Sequence, residues 1–433
     1  SSTLGMLISK PERKIAVNEQ NWNRRQFLGR SLTAASVAAA SYQRIHGANG
    51  RIGVANVGCG RRNLLREAIQ IRTDADIDIK VVCDTWGLKR RRAAEQVKEF
   101  TGAEPRQVIN FQEILAMKDV DAVIIGTPDH LHAKMLAEAA RAGKHVYVEK
   151  PIAMNMRELI EAYDAVKKHK VVVQVGTQMR SYPQSLAAKE FLAAGKLGKI
   201  LKVEQARNGF SPYWQSYGGN EFFKDTPAQD DVAWKLFLGD RRDRPFNPQQ
   251  YMGWYGYREF SRGPHTNLMV HFIDIVHYVT GASMPKRVVA MGGTYRWQGE
   301  FTAPDSVEVS LEYPEDFLVR YCTTFGNSAG SCARWYGTLG TLDAKNLSSR
   351  EPWTASGQGS GEPDKLPEAI DLPLPQRVQH MKNWIDSIRS GEEPVAPIDA
   401  GYAHGVAVIM ADEALVSGRR QVYDPARREV RAG

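Results

Sequence analysis

Arg51-Ile52-Gly53-Val54-Ala55-Asn56-Val57-Gly58-Cys59-Gly60-Arg61-Arg62-Asn63 decides the fold. A short apolar run ends on a Gly-x-Gly turn, and Leu64–Ile71 then carries apolar residues at helical spacing. Gly58 permits the tight turn. Gly60 lets the backbone N–H groups around Arg61 approach a pyrophosphate at the helix N-terminus. Asn63 stands where the fingerprint usually has a third glycine. Asp84 ends the next apolar run, where a carboxylate accepts hydrogen bonds from a ribose diol and repels a 2′-phosphate. That favours NAD over NADP, while the nearby Lys89-Arg90-Arg91-Arg92 leaves NADP open beside its simpler reading as a solvated helix face.

Around this stretch the pattern repeats. Arg51–Val57, Ile79–Cys83, Asp121–Ile125, Lys144–Val148 and Val171–Val175 are near-continuous apolar runs, and Gly87–Phe100, Leu131–Arg141 and Met156–Lys168 lie between them at helical spacing. Continuous rather than alternating hydrophobicity means strands buried on both faces, hence an α/β, Rossmann-type, doubly wound parallel sheet. After about Thr177 the texture changes. Lys199–Arg207, Lys286–Arg296, Asp305–Tyr313, Asp316–Thr324 and Ala333–Ala344 alternate, as strands of a large, mostly antiparallel open sheet do. Glu351–Pro375 reads as a long Gly/Pro/Ser-rich surface loop, with helices over Arg377–Ser390 and Ala400–Leu415. The chain therefore divides into an N-terminal segment (1–50), a dinucleotide-binding domain (51–176) and an α/β substrate-binding and oligomerisation domain (177–433).

Composition bounds the function. The 433 residues are 42% hydrophobic and 24% charged, which suits a globular chain, and no apolar run reaches the ~20 residues of a spanning helix. Most of the net charge of +8 falls in residues 1–50, so the rest offers no electrostatic footprint for nucleic acid. Cys59 and Cys83 read as small buried hydrophobes, and Cys322 and Cys332 have the spacing to pair across a hairpin. Asn23-Arg24-Arg25-Gln26-Phe27-Leu28-Gly29-Arg30 precedes an Ala-rich stretch ending Ala38-Ala39-Ala40. An Arg pair, then Phe-Leu, then a mildly apolar segment is the pattern of a twin-arginine export signal, with a periplasmic product and no stable membrane insertion. A protein exported folded into a compartment without free nicotinamide cofactor must hold its own tightly.

Two further motifs stand at the carboxyl edge where such sheets bind ligands: Thr127-Pro128-Asp129-His130-Leu131-His132 and Glu149-Lys150-Pro151. Together with Gly58-x-Gly60, Asp84 and Ala142-Gly143-Lys144-His145-Val146-Tyr147-Val148-Glu149-Lys150-Pro151, they resemble the Gfo/Idh/MocA family of glucose–fructose oxidoreductase and inositol dehydrogenase. The resemblance runs over most of residues 51–430. It implies an NAD-dependent oxidoreductase that acts on a sugar or cyclitol, as a homodimer or homotetramer. It implies cofactor contacts at Gly58, Gly60, Arg61, Asn63, Asp84, Thr127, Pro128, His132, Glu149 and Lys150. In such enzymes the lysine of Glu-Lys-Pro works with an Asp-x-x-x-His pair on one helix face. Lys150 and His271 match that pattern; the aspartate position is Asn267, which can bind a hydroxyl but carries no charge. Lys150, His271 and Asn267 are thus the expected catalytic group, with His271 as acid/base. Arg180, His265, Asn267 and Tyr257 are expected to face the substrate, and Asp274 either to orient His271 or to cap a helix. The aromatic cluster of Phe210, Tyr213, Trp214, Tyr217, Trp254, Tyr255 and Tyr257 fits either a sugar cleft or core packing. Six-residue steps point His265, His271 and His277 apart, so no metal is expected. Two alternatives remain open: redox-neutral glycoside cleavage by transient oxidation and elimination, and a cofactor-binding protein without turnover.

Overall fold

The computed structural model describes residues 50–212, 225–299, 301–345, 347 and 350–433. The export-signal motif and Tyr213, Trp214 and Tyr217 lie outside the described residues. The described residues form one compact unit.

Its first half is built from β1 (Ile52–Val57), α1 (Leu64–Ile71), β2 (Ile77–Cys83), α2 (Gly87–Thr101), β3 (Arg106–Val108), α3 (Phe111–Leu115), β4 (Ala122–Ile125), α4 (Asp129–Arg141), β5 (His145–Val148), α5 (Met156–His169) and β6 (Val173–Val175). The strands make one parallel sheet in the order β3-β2-β1-β4-β5-β6, and β1 and β4 are buried along their whole length. The cause is the one the apolar runs announced: helices cover both faces, so no position of a central strand can be polar without an unpaired group inside. The strand ladder continues past the strand ends. Gly58 N donates to Cys83 O (2.9 Å), Gly126 N to Val57 O (2.8 Å) and Glu149 N to Ile125 O (2.9 Å). This brings the chemistry-bearing turns to one carboxyl edge.

The second half contains α6 (Pro183–Ala193), β7 (Ile200–Ala206), β8 (Gly209–Phe210), α7 (Trp234–Leu238), α8 (Pro248–Met252), α9 (Pro264–Asn267), α10 (Met269–Thr280), β9 (Arg287–Gly293), β10 (Ser306–Glu312), β11 (Leu318–Thr324), β12 (Gly326–Asn327), β13 (Cys332–Gly337), β14 (Gly340–Asp343), β15 (Thr354–Ser356), β16 (Ile370–Asp371), α11 (His380–Ser390), α12 (Ile398–Ser417), β17 (Gln421–Asp424) and β18 (Glu429–Ala432). Ten of its strands form a sheet in the order β16-β15-β14-β13-β7-β11-β10-β9-β17-β18, antiparallel except for β7 and β11. Val307, Val309 and Leu311 point inward while their neighbours on β10 point out, the period of a half-buried strand.

The structure departs from two expectations, and the hairpin pairing open to Cys322 and Cys332 does not form. Ala333–Ala344 is two strands that turn on Thr338-Leu339, not one. The long loop contributes edge strands β15 and β16, each too short to give a periodic signal. β7 lies between β11 and β13, so Cys322 and Cys332 do not face each other across a hairpin, and both are free.

Burial sets a pH response. His130, His277 and His380 are enclosed, and desolvation lowers them from the ordinary 6.5 to about 3, about 3 and about 4. They fold neutral. Below pH 6.5 the unfolded chain takes up protons that the native chain refuses, so stability is full above that pH and is lost as pH falls towards 3–4. Each contributes up to ~1.4 kcal/mol per pH unit in that window, and the raised carboxyls of Asp84 and Asp129 act in the opposite sense. The expected result is a melting temperature about 5 °C or more lower at pH 5 than at pH 7. An unchanged value would show that these histidines charge in the native state.

Candidate active site

One cavity of about 1400 Å³ runs along the carboxyl edge of the first sheet and under a cover from the second half. Gly58, Gly60, Arg61, Asp84, Thr127, Pro128, His132, Glu149, Lys150 and His271 all line it. Gly58 has φ +87°, and a Cβ there would sit 2.5 Å from Gly126 O; around Gly60 a Cβ would meet nothing within 4 Å. The turn is thus tight on its inner side and open towards the cavity, a cradle that suits a pyrophosphate before the N-terminus of α1. Asn63 takes φ 50° before α1, a left-handed conformation that asparagine tolerates. It borders a recess of about 190 Å³ that shares Gly58 and Gly60 with the main cavity.

The Asp84 carboxylate accepts from Cys59 N (2.7 Å) and Trp86 N (2.8 Å), which fixes it beside the glycine turn while burial pushes it up. The basic run after it is already engaged. Arg90 donates to Asp84 O (3.0 Å), Arg91 binds Asp231 (3.1 Å), and Arg92 and Lys89 meet Asp225. Those acids belong to a segment that docks on the β2–α2 turn. Asp231 accepts from Leu88 N (2.9 Å), Ala233 N donates to Thr85 O (2.8 Å), and the Tyr251 hydroxyl lies 3.2 Å from Thr85 Oγ1. Trp86 joins Val232, Trp234, Phe237, Leu238, Met252, Tyr257 and Phe260 in a buried cluster. The segment is a strap across the end of the cavity where the Asp84 side chain lies.

Five polar residues gather at the cavity's buried wall, and Asp129, Lys150 and His271 among them line it. Lys150 Nζ donates to Asn267 O (2.8 Å) and to Asn267 Oδ1 (3.0 Å). Asn267 Nδ2 donates to Asp129, 3.0 Å from each carboxylate oxygen, and Ser261 Oγ donates to Asp129 Oδ2 (2.7 Å). His271, one helical turn past Asn267, opens one edge of its ring to the cavity; its enclosed Nδ1 has no hydrogen-bond partner among the described residues. Desolvation, then the Lys150 charge, hold it well below the ordinary histidine range, so its ring is neutral at pH 7.

Two of the expected cofactor residues are structural braces. His132 has Nδ1 at 2.8 Å from Pro151 O and Nε2 at 2.7 Å from Thr127 O, stapling the two motif loops together. Glu149 accepts from Arg62 Nε (2.7 Å), Gln178 Nε2 (3.0 Å) and Lys150 N (3.2 Å).

None of the four expected substrate residues lines the cavity: Asn267 is fully buried behind Lys150, and the other three lie elsewhere. Arg180 is buried against Asp274 (2.9 Å), which also pairs with His404 Nδ1 (3.0 Å). Asp274 therefore neither orients His271 nor merely caps a helix. His265 is sealed off on Asp412 (2.8 Å), and Tyr257 packs in the aromatic cluster against Phe260 and Phe301. Burial explains all three: their partners come from α10, α12 and the strap, contacts that local spacing does not encode. Trp254 and Tyr255 do line the cavity, with rings 3.8 Å apart. Phe210 is exposed and packs on Trp297 instead. His277 bonds the Tyr313 hydroxyl (2.8 Å), and the described residues hold no group of metal-ligating side chains. Asp129 belongs to the Thr127–His132 motif, but nothing local reveals its contact with a residue 138 positions away.

Comparison with known proteins gives the site a context. Residues 52–177 match the family model described as "Oxidoreductase family, NAD-binding Rossmann fold", and residues 239–343 match "GFO/IDH/MocA C-terminal domain". The chain is 39% identical over 122 residues to scyllo-inositol 2-dehydrogenase (NAD(+)) of Bacillus subtilis, covering 28% of this chain and 35% of that protein. It is 29% identical over 187 residues to 2,7-anhydro-N-acetylneuraminate hydratase of Mediterraneibacter gnavus, covering 43% and 40%. It spans half or less of the length of the curated relatives it matches. The solved structure of levoglucosan dehydrogenase with NADH and levoglucosan has the same fold, with TM-score 0.64, 18% identity, and coverage of 88% of this chain and 99% of that one.

Proposed function

Because the chain belongs to the GFO/IDH/MocA oxidoreductase family and carries its NAD-binding Rossmann domain, we propose that it moves hydride between tightly held NAD and a secondary alcohol of a sugar or cyclitol. One observation carries this reading: Lys150 and His271 open onto the same cavity as the Gly58–Gly60 cradle and Asp84. The nicotinamide, when bound, supplies the hydride acceptor. The chain's own residues do the rest. Lys150, anchored on Asn267, polarises the substrate oxygen, and neutral His271 takes the hydroxyl proton as a general base. Trp254 and Tyr255 offer ring faces to the sugar. Neutralisation of Arg91 and Arg92 by the strap, beside the Asp84 carboxylate, favours NAD over NADP.

The strap also supports retention. Replacing Asp231 by alanine together with Tyr251 by phenylalanine removes the Leu88 N–H and Thr85 contacts. NAD dissociation should quicken by about tenfold, the worth of one or two hydrogen bonds; an unchanged rate, measured by fluorescence, would remove the strap from the account. The cofactor itself is checked by denaturing the purified protein and weighing the released dinucleotide. NAD(H) is expected; NADP(H) would overturn the reading of Asp84, and a protein that also fails to bind added NAD would overturn the enzyme.

A second reading rests on the uncharged Asn267 and on the hydratase relative: transient oxidation beside a glycosidic bond, elimination, and return of the hydride. Bond cleavage with no net NADH separates it from the first. The Arg24-Arg25 motif supports twin-arginine export to the periplasm, tested by exchanging the pair for lysines and following export. The exposed Val289 and Met291 on β9 of the open sheet support a homodimer or homotetramer, tested by sedimentation.

A further inference from the structure

Asn267 stands where the family resemblance calls for a charged partner of Lys150, yet the charge is not missing from the site. We infer that Asp129 supplies it: the carboxylate sits one residue behind Asn267 and acts on Lys150 through the Asn267 amide, as a positioning residue for the proposed reaction.

The donor and acceptor logic allows one arrangement. A lysine ammonium has only donors, so the amide oxygen of Asn267 must face Lys150 Nζ, as it does at 3.0 Å. The amide nitrogen must then face the other way, and there it finds both oxygens of Asp129 at 3.0 Å. Asp129 also accepts from Ser261 Oγ, which is itself enclosed. The Asn267 amide nitrogen can only donate, so Asp129 must accept from it, and that bond with the Lys150 charge favours the ionised carboxylate against the burial that pushes it up. Asp129 is 2% exposed, and Lys150 and His132 are the cationic or titratable groups facing it, with His271 facing Lys150 in turn. The amide is polarised between a cation and an anion, which fixes its orientation and balances the buried ammonium. Asp129 also explains why position 267 is not aspartate: two carboxylates 3.0 Å apart would repel each other in a buried site.

This inference rests on the proposed function for its catalytic consequence, but its physical core is tested without turnover. Four proteins are compared: wild type, D129N, N267D and the swap D129N/N267D. D129N leaves the Lys150 charge unbalanced, and N267D sets two carboxylates against each other. Each single change should lower the melting temperature by about 3–6 °C, and the swap should recover at least half of the summed loss. If the losses simply add, the inference fails whatever the enzyme does. With an active wild type, D129N should lower kcat about 10- to 100-fold and shift the alkaline limb of the pH profile downward, and the swap should return that limb. An inactive wild type would count against the proposed function, and the melting cycle would still decide the role of Asp129.

Discussion

Replacing Lys150 by methionine should lower kcat by about 10³-fold or more while NAD remains bound. The lysine is 7% exposed, faces the cavity, and holds its ammonium against Asn267 O and Oδ1. A fixed cation beside a developing alkoxide is worth several kcal/mol of barrier in a dry site, because no solvent reorganises around it. Methionine keeps much of the stem's volume, so packing beneath the cavity changes little, and the glycine cradle and strap are untouched. The check is a single-turnover rate beside the mass of dinucleotide that survives gel filtration. A variant that keeps NAD and keeps its rate would remove Lys150 from the chemistry. Lys150→Arg should recover little, since a planar fork cannot take the place of the compact ammonium between Asn267 O and Oδ1.

Gly58→Val should abolish retained dinucleotide. The residue sits at φ +87°, where a β-branched side chain is strongly disfavoured, and its Cβ would lie 2.5 Å from Gly126 O and 2.9 Å from Thr127 N. Backbone on both sides must move, which opens the turn and misdirects the N–H groups before α1. Gly60→Ala separates strain from binding. Its Cβ meets nothing within 4 Å and its φ is ordinary, so the melting temperature should hold. The methyl group would still intrude where the backbone must approach a pyrophosphate, and NAD affinity should fall about 10- to 100-fold. Equal affinity in the alanine variant would mean that the cofactor does not lie on this turn.

The parallel sheet was legible because its strands are buried on both faces and leave unbroken apolar runs; β1, β2, β4, β5 and β6 sit within two residues of their expected bounds. β3 was not, since its three residues begin with exposed Arg106 and Gln107. Residues tied to local motifs reached the cavity as expected: Gly58, Gly60, Asp84, Lys150 and His271. Arg180, His265 and Tyr257 did not, because an arginine or histidine inside a protein is as well satisfied by a carboxylate from a distant helix as by a substrate. The pairing of Asp129 with Asn267 and the salt links of Arg91 and Arg92 to the strap share that origin. Each joins segments more than a hundred residues apart, and sequence spacing carries no record of such contacts.

Hydride exchange between retained NAD and a sugar or cyclitol carbinol at the Lys150–His271 wall leaves an isotopic trace on the cofactor. The NAD-loaded protein would be incubated with sugars and inositols deuterated at each carbinol carbon in turn, then denatured, and its dinucleotide weighed. One substrate position should pass deuterium to the cofactor in the wild type and fail to do so in Lys150→Met. Dinucleotide that gains no deuterium from any position would contradict the account.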